Sequence, residues 1–145
     1  MEIDVVRLVH LDDVASLAYA ARSEGFNFLD RLITEWKDGT NRFDDEGEAL
    51  FGAYLNGELV GTAGVTRQNP ALGRIRRVYV NPALRRQGIA RRLVIEVLRF
   101  AKDEYKELVL FTDTERAAAF YESLRFLPES PEGPDHATHR LRITT

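Results

Sequence analysis

The sequence predicts a mixed α/β fold: one mostly antiparallel sheet with helices on both faces. Three observations predict it. Asn56-Gly57 stands between two apolar β runs, and Asn-Gly in that setting signals a hairpin because both central residues of a type I′ turn need φ > 0. From Ile89, apolar residues recur at helical spacing: Ile89, Leu93, Val97 and Phe100, flanked by Ala90, Val94, Leu98 and Ala101. They form a stripe wide enough to cover a sheet. That helix lies between two β runs, and a β-α-β crossover makes its strands parallel neighbours.

The elements follow in order. Residues 2–8 alternate weakly and predict a short strand. Leu11 to Arg22 carries Val14, Leu17, Ala18 and Ala21 at helical spacing, with Asp12 and Asp13 suited to the positive end of the helix and Gly25 to end it. Phe28, Leu29, Leu32, Ile33 and Trp36 mark a second helix, closed by Gly39. An acidic loop, Asn41 to Gly47, leads to strands at Ala49–Leu55 and Leu59–Thr66, then Arg74–Val80. The long helix runs from Ile89 to about Tyr105. Leu108 to Thr112 is a nearly continuous apolar run, as in a strand covered on both faces. Arg116 to Leu124 is a helix, and Ala137, His139, Leu141 and Ile143 alternate with polar residues in a terminal strand. The predicted order is β-α-α-β-β-β-α-β-α-β-β. No composition shift divides the 145 residues, so one domain, 1–145, is expected.

Composition narrows the chemistry. The chain has no cysteine, which excludes disulfides, thiolate metal sites and a cysteine nucleophile and fits a cytoplasmic protein. Met1-Glu2-Ile3-Asp4 lacks a basic stretch followed by an apolar one, so no signal peptide is expected. No apolar run approaches the ~20 residues that span a bilayer, so no membrane partner is expected. His10, His136 and His139 lack metal-ligand spacing, and no metal is expected. The net charge of −3 hides an asymmetry. Residues 1–60 carry 13 acids and 5 bases, residues 61–145 carry 10 acids and 15 bases, and eight arginines fall between Arg74 and Arg99. The patch is short and lacks interleaved aromatics, which argues against nucleic acid and for a phosphorylated small molecule.

The phosphate site can be placed. Val78-Tyr79-Val80-Asn81-Pro82 reads as a strand and turn, and Arg85-Arg86-Gln87-Gly88-Ile89-Ala90 opens the long helix. The first amides of a helix have no intrahelical partners and carry the positive end of its dipole, so they bind phosphate. Gly88 lets a ligand approach the backbone, and Arg85 and Arg86 add fixed charge.

The pattern resembles the pyrophosphate-binding signature of the GNAT superfamily of acyl-CoA-dependent N-acetyltransferases, Arg/Gln-x-x-Gly-x-Gly/Ala, met by Arg85, Gly88 and Ala90. A second match, Thr114-x-x-Ala117-x-x-x-Tyr121-x-x-x-Arg125-Phe126, resembles the family's Asn-x-x-Ala-x-x-x-Tyr-x-x-x-Gly-Phe; Thr114 and Arg125 depart from it. The element order is also that of the family.

The resemblance implies a direct acetyl transfer from acetyl-CoA, a cosubstrate, to a primary amine of a small molecule or protein. It implies that Val78, Tyr79 and Val80 carry the pantetheine arm and that Arg85, Arg86, Gln87, Gly88, Ile89 and Ala90 hold the pyrophosphate. Thr114 offers a hydroxyl to the cofactor arm, and Tyr121 protonates the leaving thiolate. Many relatives place a glutamate on the cofactor strand, where this chain reads Ile75-Arg76-Arg77-Val78. Asp113, Glu24 or a water relay is therefore left to take the amine's proton. Asp113 has a competing expectation, capping the helix that follows it. The acidic first 60 residues suit a cationic acceptor, and the C-terminal strands could serve a homodimer. The competing class is a non-catalytic CoA-binding or regulatory module on the same scaffold.

Overall fold

A computed structural model describes residues 2–143; Met1, Thr144 and Thr145, at the predicted domain ends, lie outside the described residues. The chain runs β1 (Asp4–Arg7), α1 (Ala15–Ser23), α2 (Phe28–Asp38), β2 (Ala49–Leu55), β3 (Glu58–Asn69), β4 (Leu72–Val80), a 3-10 turn (Pro82–Leu84), α3 (Ile89–Ala101), β5 (Glu107–Leu110), α4 (Glu115–Ser123), β6 (Leu127–Pro128) and β7 (His139–Arg142). The strands form one seven-stranded sheet in the order β1-β2-β3-β4-β5-β7-β6. Every pairing is antiparallel except β4 with β5. The predicted element order and mixed sheet are both present. No helix among the described residues is long and apolar enough to cross a membrane.

Each face of the sheet carries its own core. Leu17, Ala18 and Ala21 of α1 and Leu29 and Leu32 of α2 pack on Leu50, Leu59 and Tyr79. Leu93, Val94 and Val97 of α3 and Tyr121 of α4 pack with Phe126 on Val65, Ile75, Leu108 and Leu110 of the other face. Leu17, Leu29, Leu32, Leu50, Leu93 and Leu108 are all below 2% exposed. Each such side chain stabilises the fold by about 1.5–3 kcal/mol through removal of apolar surface from water. The β2–β3 hairpin has Asn56 at φ 52° and Gly57 at φ 80°, the backbone that the dipeptide predicts. Gly39 closes α2 at φ 80°.

Strand ends differ from expectation by up to three residues, and two helix ends differ by four. The first helix begins at Ala15, with Val14 as its N-cap and no acid in its first turn. Asp13 instead accepts a 2.8 Å hydrogen bond from the Tyr54 hydroxyl, which fixes it to β2 rather than to the helix. The third helix ends at Ala101, four residues early. Tyr105 is drawn into the core, where its hydroxyl donates to the Gly47 carbonyl at 2.5 Å.

Two irregularities in β4 create the site. Thr62 of β3 pairs with Tyr79, and Gly64 with Arg76, so Arg77 and Val78 stand opposite Ala63 alone. This is a β-bulge, with Arg77 in the left-handed region at φ 59°. The second irregularity is a split. The parallel pairing of β4 with β5 joins only Leu72, Gly73 and Arg74 to Glu107, Leu108 and Val109. From Ile75 to Val80, β4 pairs with no strand on that side among the described residues, while β5 stays paired with β7 through Leu110.

Candidate active site

The open edge of β4 leads directly into a loop of free donors. After Val80, the Asn81 side chain accepts from the Ala83 amide at 3.0 Å and shapes the 3-10 turn. Arg86 lies at φ 65° and Gly88 at φ 80°. The first helical hydrogen bond of α3 runs from the Arg92 amide to the Gly88 carbonyl, which leaves the amides before it without intrahelical acceptors. A Cβ built on Gly88 would meet nothing within 4 Å, so the space above the loop is open to a ligand. Arg86, Gln87 and Gly88 are exposed, Ile89 is buried as the first core residue of α3, and Ala90 is half-buried. The loop thus matches the donor set and the opening that a pyrophosphate needs.

The bulge is braced from the neighbouring strand. Thr62, fully buried, donates its hydroxyl to the Arg77 carbonyl at 2.7 Å. Sequence reasoning missed this residue; the available signal was a hydroxyl inside an otherwise apolar strand. Val78 is half-buried against the α3 core, Tyr79 points to the α1–α2 face, and Val80 returns to the α3 face.

Arg85 is already engaged. It holds Glu24, at the C-cap of α1, through two hydrogen bonds of 2.7 and 2.6 Å. Glu24 also accepts from the Tyr79 hydroxyl, and the Arg85 guanidinium lies 5.4 Å from the centre of the Tyr79 ring. Phe26 and Phe28 stack edge to face on that ring. The hydrogen bond from Arg85, with weaker help from Tyr79 and Arg116, holds the Glu24 carboxyl down at about 2. Burial, with the hydrogen bond to Glu24, raises the Tyr79 hydroxyl. A carboxylate so stabilised is a weak base near neutral pH, which tells against Glu24 among the proton acceptors expected.

Across the split, α4 begins at Thr114, whose side chain accepts from the Ala117 amide at 3.2 Å. Thr114 is therefore the cap, and the alternative in which Asp113 caps the helix does not hold. Asp113 is exposed in the loop three residues past the end of β5. Tyr121 is 6% exposed, its ring set edge to face against Phe120 and Phe126 at 5.0 and 5.6 Å. Burial alone raises its hydroxyl well above the ordinary value, so it carries its proton throughout the physiological range. Arg125 stands where the motif has glycine and takes φ 74°.

The eight arginines do not form one patch. Arg85 and Arg86 lie in the loop, Arg91, Arg92 and Arg99 are exposed on α3, and Arg74, Arg76 and Arg77 lie on β4. His139 is buried between Thr138 and Glu122, with ring nitrogens 3.0 and 2.9 Å from their oxygens. Among the described residues no group of three or more His, Asp or Glu is placed to hold a metal ion.

Known proteins share this architecture. Residues 11–126 match the model of the acetyltransferase (GNAT) family. The solved structure of a presumed acetyltransferase from Exiguobacterium sp. 255-15 superposes with a TM-score of 0.86 at 29% identity, over 98% of this chain and 94% of that one. N-alpha-acetyltransferase RimI of Mycobacterium tuberculosis is 38% identical over 78 residues, 52% of this chain and 49% of that protein. Human N-acetyltransferase 8 is 31% identical over 121 residues, 77% of this chain and 53% of that protein. The curated relatives are longer than this chain: the matches span 30% to 53% of their length. With residues 11–126, most of its length, inside the family model, the chain belongs to the GNAT acetyltransferase family.

Proposed function

We propose that residues 1–145 form one cytoplasmic N-acetyltransferase domain that passes the acetyl group of acetyl-CoA to a primary amine by direct attack on the thioester. The observation that carries this reading is the continuity of the open edge of β4, bulged at Arg77, with the donor loop 85–90. An extended amide-bearing arm can pair with the free edge like an added strand while its phosphates reach the loop.

The residues then divide the work. The Val78–Val80 backbone aligns the arm, and the backbone near the bulge donates to the thioester oxygen as negative charge gathers there. The Thr114 hydroxyl accepts from the Ala117 amide and retains a proton to donate to the arm. The Tyr121 hydroxyl, kept protonated by burial, gives a hydrogen bond or proton to the departing sulfur. Asp113, exposed in the loop between β5 and α4, receives the amine's proton through solvent. The M. tuberculosis relative is named for α-amine acetylation, which supports an α-amino group as the first acceptor to try.

The test is release of free CoA thiol from acetyl-CoA with a panel of amines and peptides. Release that depends on the amine is the expected result. Tight binding of acetyl-CoA without release under any amine would move the chain to the non-catalytic reading. Gly88→Glu, which places a carboxylate in the open space above the loop, is expected to abolish calorimetric binding of acetyl-CoA. Unchanged affinity in the folded variant would put the pyrophosphate elsewhere.

A further inference from the structure

The α1–α2 face of the split carries a guanidinium whose buried Nε has no hydrogen-bond acceptor among the described residues. Arg76 lies on β4 two residues past Arg74, the last residue of that strand paired with β5. Its side chain lines a cleft of about 330 Å³, together with Glu35 at the end of α2, Thr66, Glu48, and Asp44 and Asp45 of the following loop. Several neighbouring ionic groups are engaged. Arg74 donates to Gln68 and to the Asp135 carbonyl. Arg77, with its side chain 7% exposed, donates to Glu35 at 3.0 Å. Glu48 accepts from the Arg67 amide at 2.9 Å. Arg76 has no such partner among the described residues, and its Nε, like that of Arg77, is buried without an acceptor. The half-buried guanidinium loses hydration and is repelled by Arg74 and Arg31, against attraction from Glu35 and Glu48 that makes no hydrogen bond to it, and a buried donor without an acceptor is costly in a folded protein. A planar anionic group entering the cleft would supply what is missing. Exposed Asp44 and Asp45 at the rim disfavour a free anion but not one that also bears an ammonium group.

We infer that Arg76 is a specificity-determining residue whose guanidinium binds an acidic group, carboxylate or phosphate, carried by the amine that is acetylated. The acceptor is thus zwitterionic, not simply cationic as the acidic first 60 residues suggest. This rests on the acetyl-transfer reading for its catalytic meaning and on the cleft alone for binding.

Two measurements test it. In the first, matched acceptors are compared with acetyl-CoA saturating: amino acids against their amides, and aminoalkyl phosphates against the parent alcohols. The acid-bearing members are expected to show kcat/KM roughly ten- to a hundredfold higher, the range of a hydrogen bond to a charged group. Arg76→Gln should erase that preference through KM, with kcat, acetyl-CoA affinity and the rate on the uncharged partners unchanged. The two pairings separate a carboxylate from a phosphate. Equal use of charged and uncharged members, or a preference that survives Arg76→Gln, overturns the inference. The second measurement is the NMR shift of the Arg76 Nε–H, identified by its loss in Arg76→Gln, on titration with glycine and with phosphoethanolamine. A saturable shift with either one supports the site, and no shift with both overturns it. If no amine of any kind releases CoA, the acetyl-transfer reading fails while this second measurement still decides the anion site.

Discussion

Arg125 shows what one residue can cost. It ends α4 at φ 74°, a conformation that is strained for any side chain by about 1–2 kcal/mol. Replacement by glycine relieves that strain and adds chain entropy to the unfolded state, about 0.4–1 kcal/mol in the other direction. Arg125→Gly is therefore expected to stabilise the protein by about 0.5–1 kcal/mol, a rise of roughly 1–4 °C in Tm by calorimetry; a lower Tm would show that the arginine makes compensating contacts. Tyr121→Phe addresses chemistry instead. The ring keeps its packing on Phe120 and Phe126, and only the hydroxyl proton is lost. Turnover should fall ~10²–10⁴-fold while acetyl-CoA binds nearly as before. Turnover within about twofold of wild type, against that expected range, would assign the tyrosine to packing. Both residues were readable from the spacing after Thr114. Thr62 was not, because its role depends on a carbonyl 15 residues away that only strand pairing brings within 2.7 Å.

The elements were legible where local chemistry decides them. Asn56-Gly57 predicts its hairpin and Gly39 its helix end, since each supplies a backbone angle that few residues take. The start of α1 was misread because Asp13 is captured by Tyr54, 41 residues on. The bulge in β4 has no local signature, as arginine is not a residue that asks for φ 59°. The tie from α1 to the donor loop was equally hidden, since Glu24 and Arg85 are 61 residues apart. It makes a pH prediction. The Glu24 carboxyl lies at about 2 when folded against an ordinary value of 4.5, so the unfolded chain takes up its proton first as pH falls. The stabilisation is complete above about 4.5 and lost on the way down to about 2. Glu24→Gln should lower Tm near neutrality, and the gap from wild type should close across that window. A gap independent of pH would mean that the ion pair contributes nothing to stability.

At the scale of the whole molecule, two cores share one sheet, and the proposed cosubstrate bridges the part of that sheet that is not closed. Acetyl-CoA at about a hundred times its Kd should stabilise the fold by about 2.7 kcal/mol, or roughly 5–10 °C in a thermal scan for a chain of this size. Gly88→Glu should show no shift. An equal shift in both proteins would mean that the ligand holds some other surface.

The seam between β4 and β5 is three residues long, and its middle residue is Gly73. A methyl group there would lie 2.8 Å from Leu108 and from the Tyr105 ring, closer than real contacts allow. β4 and the C-terminal strands are therefore joined at a point with no room for an added atom, and the donor loop lies at the far, unpaired end of β4. A small displacement at that point becomes a larger change in the width of the opening. Gly73→Ala is therefore expected to change the width of the gap, and with it the calorimetric affinity for acetyl-CoA, without altering any proposed ligand-contacting residue.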